Sequence, residues 1–265
     1  MASNRAAIFN FDLGETADAI RETVHDFSTN EIAPRAAEID RSNTFPRDLW
    51  PKIGALGLHG ITVEEEYGGS GLGYLEHCIA VEEISRASAS VGLAYGAHSN
   101  LCVNQIRRNG NEAQKRKYLP KLISGEHVGS LAMSEPGAGS DVVSMKTRAE
   151  KKGDSWVVNG QKIWTSGAHY SDYGLLIART DPNVPKHKGL TMFFLDMKSP
   201  GVEVRPIKQA NGMQEFNEVY FTDVVIPDSQ RLGAVGEGWS VSLTTLMNER
   251  MSIGARLATG VPEMF

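Results

Sequence analysis

The chain has 265 residues, 41% of them hydrophobic and 22% charged, and its formal net charge at pH 7 is -5. This composition is typical of a globular protein of roughly two domains. The negative charge argues against a nucleic-acid or anionic-membrane partner, and no apolar run approaches the ~20 residues of a membrane span. The first residues lack the pattern of a secretory signal, so a cytoplasmic location is expected.

The first part of the chain, residues 1–127, is predicted to be an all-α domain. Apolar residues recur at helical spacing, with charges between them, over residues 16–39, 75–87 and 91–108. Asn111 follows the turn signal Asn109-Gly110, and it is the predicted N-cap of a further helix.

The second part, residues 128–234, is predicted to be an antiparallel β-domain, either a barrel or a sandwich. Short runs of strand type are separated by turns rich in Asp, Gly and Pro. These runs are GSLAMS, SWVVNG, YGLLIART, GLTMFFLDM, GVEVRPI and EVYFTDVVI. Residues 235–265 return to a helical pattern and are predicted to begin a C-terminal helical bundle, so the expected fold class is α+β.

Several common enzyme motifs do not occur in the sequence. The glycines of GGSGLG, residues 68–73, do not have the GxGxxG spacing, and there is no P-loop and no GxSxG elbow. The two cysteines and seven histidines show no metal-ligand spacing, so no metal site is expected.

Two predicted strand ends are candidates for a binding site: LAMSEPGAGSD, residues 131–141, and NGQKIWTSGAHYSD, residues 159–172. A backbone with little side-chain bulk lets N–H groups approach a flat or anionic ligand, and short hydroxyl groups supply donors. Trp164 is suited to lie against an aromatic ring system. Each segment alone has an alternative interpretation: the glycines mark ordinary tight turns, and the tryptophan fills the core.

These two segments, with a glycine-rich lead into a helix that contains NER, resemble the acyl-CoA dehydrogenase family of flavoenzymes. EEYGGSGLGYLEHCIAVEEISRASASVGLAYGAHSNL and NGNEAQKRKYLPKLISGEHVGSLAMSEP extend the match over the helical half, which is particularly similar to isovaleryl-CoA dehydrogenases. From Trp156 onward the sequence is more similar to other bacterial members. The chain is therefore either a hybrid or a divergent member, and the resemblance covers essentially its whole length.

The resemblance implies that FAD is the cofactor and an acyl-CoA the substrate. The residues that match cofactor-binding positions of the family are Leu131, Met133, Ser134, Gly139, Ser140, Trp164, Thr165 and Ser166. Ser166 replaces the usual threonine, which keeps the hydroxyl group and removes a methyl group. The residues that match substrate-binding positions are Ser140, His187, Lys188, Met247, Asn248 and Arg250.

The resemblance also implies a reaction. In the family, a carboxylate removes the α-proton of the acyl thioester while the β-hydrogen leaves as hydride, and the electrons pass to an electron-transfer flavoprotein. Glu249, beside Arg250, occupies the isovaleryl-type position of this base, whereas most other members carry the base at a position that would lie beyond Phe265. An acyl-CoA oxidase and a non-catalytic subunit of the same fold are the alternative functions.

Family members continue with further C-terminal helices. The sequence is therefore expected to be a fragment or to be completed by another chain. Because those helices also supply part of a neighbouring subunit's FAD site in the family, a homo-oligomer, either a tetramer or a dimer, is expected.

Overall fold

The computed structural model describes the backbone of residues 12–257 and the side chains of residues 12–250. Residues 1–11 of the predicted all-α domain and residues 258–265 of the predicted C-terminal part lie outside the described residues. The α-helices are α1 (Glu15–Phe27), α2 (Ala36–Ser42), α3 (Leu49–Ala55), α4 (Tyr74–Ala87), α5 (Ala89–Gly96), α6 (Asn104–Asn109), α7 (Glu112–Ile123) and α8 (Gly238–Leu257). π-helical turns run over Ser28–Ile32 and Ala97–Val103, and 3-10 turns over Ala33–Arg35, Leu58–Gly60, Glu65–Tyr67, Val142–Ser144, Lys186–Lys188 and Asp228–Gln230.

The helices follow the apolar periodicity of the sequence. The predicted helix over residues 16–39 is divided at Pro34, where a π turn and a 3-10 turn separate α1 from α2, because proline has no N–H for the helical ladder. The predicted N-cap is confirmed. The side-chain oxygen of Asn111 accepts a hydrogen bond from the Gln114 N–H at 2.9 Å, and the Gln114 side chain accepts one from the Asn111 N–H at 2.8 Å.

The strands follow the helices and precede α8. They are β1 (Gly129–Ala132), β2 (Arg148–Lys152), β3 (Ser155–Ser166), β4 (Tyr173–Arg179), β5 (Leu190–Asp196), β6 (Val202–Pro206), β7 (Phe216–Pro227) and β8 (Arg231–Leu232). They form one sheet in the order β6-β7-β3-β2-β4-β5-β8, and β1 pairs with β4 outside this path. The predicted α+β class, with helices, then a sheet, then a further helix, is confirmed.

The sheet is mixed, which corrects the prediction of a purely antiparallel domain. β1 runs parallel to β4, with Gly129 opposite Tyr173, and β2 meets β4 in parallel at Arg148 and Arg179. All other pairs between the strands are antiparallel. Parallel neighbours need a long crossover connection, and here the β2–β3 hairpin lies within the connection between β1 and β4. Strand periodicity alone does not show this direction.

A buried histidine joins the helices to the sheet. His98, in the second π turn, is 1% exposed. Its Nδ1 lies 3.2 Å from the Gly129 N–H, which donates to it, and its Nε2 lies 2.9 Å from the Leu122 carbonyl oxygen. The ring is therefore neutral with the proton on Nε2, and burial lowers the pKa of His98 to about 4.

Polar contacts hold helix α8 against the N-terminal helices. The Gln105 side chain donates to the Val241 carbonyl oxygen at 3.0 Å and accepts from the Thr245 hydroxyl at 2.7 Å. Gln105 is fully buried, so these bonds fix the position of the first half of α8. Within residues 12–257, no helix is both long enough and apolar enough to cross a membrane.

Candidate active site

The first predicted strand end forms a tight loop, which we call the glycine loop (residues 134–140). Strand β1 ends at Ala132, and Glu135 and Ala138 then exchange two backbone hydrogen bonds of 3.1 and 3.0 Å. The loop also contacts the second predicted strand end, because the Ser134 carbonyl oxygen accepts a hydrogen bond from the Ile163 N–H at 2.9 Å. The structure therefore brings together the two segments that the sequence indicated.

A buried ion pair holds the base of the glycine loop. The Lys162 ammonium lies 2.9 Å from the Glu135 carboxylate and also donates to the Met133 carbonyl oxygen at 2.9 Å. The same carboxylate accepts from the backbone N–H groups of Lys146 and Thr147 at 2.6 and 2.9 Å. The Lys162 side chain is completely buried and that of Glu135 is 7% exposed.

Burial acts on both members of this pair. It lowers the pKa of Lys162 to about 8, a shift that the charge of Glu135 opposes. Burial also pushes the pKa of Glu135 upward, but the charge of Lys162 and the backbone donors outweigh it and hold that pKa below its usual range. The pair is thus ionised at neutral pH. The sequence analysis missed it, since nothing local links positions 135 and 162.

The outer side of the glycine loop has open space above a bare backbone. A methyl group added at Gly137 or Gly139 would meet no protein atom within 4 Å, and neither residue has a positive φ. Neither internal packing nor backbone strain therefore explains why these positions are glycine. The open space would let a ligand lie close to the backbone. Ser140, which follows, is exposed, and Ser134 is half-buried.

Two predicted cofactor residues are largely enclosed by protein. Met133 is 7% exposed and packs in an apolar cluster with Met145 and Leu190. Leu131 is half-buried and packs against that cluster. The two residues therefore lie beneath the glycine loop, and their side chains are occupied largely by packing.

The second strand end carries an exposed tryptophan. Trp164 has φ +59° and is 56% exposed, although a left-handed conformation is costly for a bulky residue. A break in the pairing of β3 with β7, between Lys162 and Thr165, places it there. Ser166 is exposed beside it, and Thr165 is 1% exposed with a hydroxyl group that has no hydrogen-bond partner.

Buried Asn217 holds the backbone of this strand end by hydrogen bonds. It is fully buried, and its side-chain amide donates to the Thr165 carbonyl oxygen at 2.9 Å and to the Glu215 carbonyl oxygen at 3.2 Å. Its side-chain oxygen lies 3.1 Å from the Nδ1 of His169, which is therefore the protonated ring nitrogen. The sequence analysis missed Asn217, because its role depends on the shifted register of β7.

The predicted CoA-contacting residues His187 and Lys188 lie in an exposed 3-10 turn. Lys186 in the same turn bonds to the Asp141 carboxylate at 3.0 Å and to the Ser144 hydroxyl at 2.6 Å. Asp141 directly follows Ser140. The structure therefore places the basic turn next to the end of the glycine loop through Lys186, whereas the His187 and Lys188 side chains are exposed in that turn.

Helix α8 approaches the site from the other side. Leu246 and Trp239 pack against the cluster that contains Met133, and Glu249 lies about one helical turn beyond Leu246. Glu249 is half-exposed, and no ion pair within residues 12–250 includes it. The Arg250 guanidinium is exposed and contacts the Met247 sulfur at 3.5 Å rather than Glu249.

The substrate residues predicted on α8 do not all face one way. Asn248 is 7% exposed, with a side-chain nitrogen that has no hydrogen-bond partner. Met247 is 55% exposed and Arg250 is exposed. Within the described residues, Asn248 therefore lies toward the protein, Met247 and Arg250 lie on the outer face of α8, and Glu249 lies between these two faces.

A cleft opens beside Ser166, between the helices and the sheet. Its lining includes the apolar residues Leu93, Ala94 and Ala97. It also includes Phe45 and Tyr170, whose rings stack with centroids 3.9 Å apart. Such a cleft suits a small apolar group. The exposed tryptophan, the bare loop and the unpartnered Thr165 hydroxyl suit a planar ring with polar edges.

Comparisons with known proteins agree with this geometry. A family model described as "Acyl-CoA dehydrogenase, N-terminal domain" matches residues 14–126, and one described as "Acyl-CoA dehydrogenase, middle domain" matches residues 130–224. The mitochondrial isovaleryl-CoA dehydrogenase of Pongo abelii is 50% identical over 244 residues, which are 90% of this chain and 58% of that relative. The chain thus spans less than two thirds of the relative's length.

Solved structures show the same similarity. Butyryl-CoA dehydrogenase from Megasphaera elsdenii matches with a TM-score of 0.88 and 30% identity, covering 94% of this chain and 67% of that one. PigA with FAD and proline matches with a TM-score of 0.88 and 27% identity, covering 95% and 66%. Because the two family models together span most of the described residues, the chain belongs to the acyl-CoA dehydrogenase family.

Proposed function

We propose that the protein is an FAD-dependent dehydrogenase that converts a short or branched-chain acyl-CoA into the trans-2-enoyl-CoA. The observation that carries this proposal is the pairing of the glycine loop with the Trp164 strand end. Open space over Gly137 and Gly139, an exposed indole and the Thr165 hydroxyl converge there. The similar solved structure of PigA with FAD and proline supports FAD as the planar group.

The residues that would hold FAD are those of the two strand ends. The glycine loop gives the ring system close backbone approach, Trp164 offers an aromatic surface, and the hydroxyl groups of Ser134 and Ser166 are donors for the polar edge of the ring. When bound, FAD supplies the two-electron acceptor for the hydride that leaves the β-carbon.

The chain's own part in the chemistry is proton removal and positioning. Glu249 would take the α-proton, which is only weakly acidic, so the carboxylate must be shielded from water and the thioester oxygen must be held by donors. Among the described side chains, residues 12–250, no ion pair includes Glu249, which suits a carboxylate that acts as a base. The cleft beside Ser166, through its apolar residues Leu93, Ala94 and Ala97, would hold the acyl chain.

Partners are proposed from family membership. We infer that the electrons leave to an electron-transfer flavoprotein and that the working protein is a homo-oligomer. The isovaleryl-CoA dehydrogenase relative supports a short branched acyl group. One methylene in an apolar pocket is worth only about 1–3 kcal/mol of discrimination, so a panel of acyl-CoAs is needed to identify the acyl group.

The test is anaerobic titration of the complete, FAD-loaded protein with acyl-CoAs of different length and branching. We expect bleaching of the flavin absorbance by short branched substrates, and reduction of an artificial acceptor with little peroxide. Glu249→Gln should bind FAD and acyl-CoA normally and lose flavin reduction by ~10²–10⁴-fold. Glu237→Gln, an exposed position just before α8, is the matched control. Parent-rate bleaching in Glu249→Gln would place the base elsewhere.

A further inference from the structure

A chain of buried hydrogen bonds leads from the helical part to the backbone beside Glu249. The Asn104 side-chain amide donates to the Tyr74 hydroxyl oxygen at 2.9 Å, and the Tyr74 O–H donates to the Asn100 side-chain oxygen at 2.7 Å. The Asn100 side-chain amide then donates to the Asn248 carbonyl oxygen at 2.7 Å. Asn100 and Asn104 are 2% and 1% exposed and Tyr74 is half-buried, so water cannot easily replace the bond between Asn100 and the Asn248 carbonyl oxygen.

The direction of every bond in this chain is fixed. A tyrosine hydroxyl has one proton, and here that proton points at the Asn100 oxygen. The Asn100 amide nitrogen is thereby turned toward the Asn248 carbonyl, which can only accept. Burial also raises the pKa of Tyr74 to about 12, so the hydroxyl remains a donor throughout the working pH range. Removing the Tyr74 hydroxyl would leave the Asn100 side-chain oxygen without its donor, so that only the bond to the Asn248 carbonyl oxygen would orient the amide.

The irregular helix explains how Asn100 reaches α8. Asn100 lies at the centre of the π turn Ala97–Val103, and such turns interrupt the regular direction of side chains and often occur at functional sites. Asn100 is thus directed across to α8, whereas Gln105, from the regular helix that follows, holds α8 one to two turns earlier at Val241 and Thr245.

The Asn248 carbonyl group belongs to the peptide bond whose nitrogen is that of Glu249. Because a peptide unit is planar, fixing this carbonyl fixes the backbone of Glu249 and hence the origin of its side chain. We propose that Asn100, held by Tyr74 and Asn104, is a positioning residue that sets the direction of the Glu249 carboxylate. This inference rests on the proposed function, in which Glu249 is the base.

The test measures proton abstraction separately from oxidation. 3,3-Dimethylbutanoyl-CoA has α-hydrogens but no β-hydrogen, so it can exchange its α-protons with D₂O without reducing the flavin. We would follow this exchange by NMR in the complete, FAD-loaded protein. Tyr74→Phe keeps the ring and removes only the central hydroxyl, and Asn100→Asp keeps the shape and replaces the donor with an acceptor.

We expect both variants to slow α-proton exchange by ~10-fold or more, since a displacement of about 1 Å can cost ~10²-fold in rate. FAD content and the Kd for the acyl-CoA should stay within about twofold of the parent. Thr245→Val removes an α8 anchor of the same kind, to Gln105, and should leave the exchange rate unchanged. If Tyr74→Phe and Asn100→Asp lose FAD or unfold to the same extent as Thr245→Val, their role is merely structural and the inference is overturned.

Glu249→Gln separates this inference from the proposed function. If Glu249→Gln abolishes exchange while Tyr74→Phe and Asn100→Asp exchange at the parent rate, the positioning role is wrong and the base is right. If Glu249→Gln exchanges at the parent rate, the base assignment fails, and the positioning role fails with it.

Discussion

Replacing Lys162 with methionine would remove the ammonium group beneath the glycine loop and keep the length of the side chain. The Glu135 carboxylate, with 7% of its side chain exposed, would then be a buried charge without a counter-charge. Removing one partner of a buried ion pair costs about 3–5 kcal/mol. Since Glu135 retains the N–H donors of Lys146 and Thr147, we expect the lower end, about 3 kcal/mol.

The assay is urea unfolding of the flavin-free protein, followed by circular dichroism, with FAD affinity measured separately. Lys186→Met is the matched control. Its ion pair with Asp141 lies at the other end of the same loop, but both side chains are about 60% exposed, and exposed pairs contribute about 0–1 kcal/mol. Lys162→Met should also weaken FAD binding, because the loop loses the bond to the Met133 carbonyl oxygen.

A double variant tests whether the charge itself is responsible. Glu135→Gln with Lys162→Met removes both charges, so its loss of stability should be smaller than the sum of the two single losses, with a coupling of roughly 0.5–3 kcal/mol. If Lys162→Met is no more destabilised than Lys186→Met, or if the two changes are additive, the buried pair does not hold the loop and the reasoning is refuted.

Three further changes test other parts of the structure. Gly139→Ala should leave the unfolding temperature of the flavin-free protein unchanged, since a Cβ there meets no protein atom. It should lower the FAD content, and full flavin occupancy would make the loop an ordinary turn. Asp172→Asn, which weakens bonds to Arg47 and Lys198 and to the Val128 N–H, should cost roughly 1–3 kcal/mol in urea unfolding, and a loss near zero would contradict this. Burial lowers the pKa of His98 and of His77 to about 4. Between about pH 4 and pH 6.5, these two rings therefore bind protons in the unfolded chain but not in the folded chain. Stability should therefore be complete above pH 6.5 and fall by roughly 1 kcal/mol per buried histidine on going to about pH 5.5, and a flat profile from urea unfolding would show that these rings are not buried neutral.

The sequence predicted those features that depend on neighbouring residues. Helical periodicity located the helices, and the Asn111 cap follows from two residues three positions apart. The strand end at residues 134–140 can be recognised in the sequence from its small residues. The identity of the site residues came from the family resemblance, and their roles stay predictions.

The features that could not be predicted depend on pairing across long separations. The parallel register of β1 on β4 joins residues more than forty positions apart, such as Gly129 and Tyr173. The positive φ of Trp164 follows from the break in pairing with β7, and Asn217 contributes only through that break. Local patterns contain no information about which distant strand is a neighbour, so these residues resembled ordinary strand positions.

The two strand ends show how the protein stiffens a surface that has few side chains of its own. A glycine loop open to a ligand cannot be fixed by packing on its outer side, and a tryptophan at positive φ is held against its backbone preference. In both cases the stabilising bonds lie on the buried side: Glu135 and Lys162 beneath the loop, and Asn217 beneath Thr165. Preorganisation of this kind lowers the ordering cost of binding, so substitutions in these inner residues should affect ligand affinity without touching the ligand.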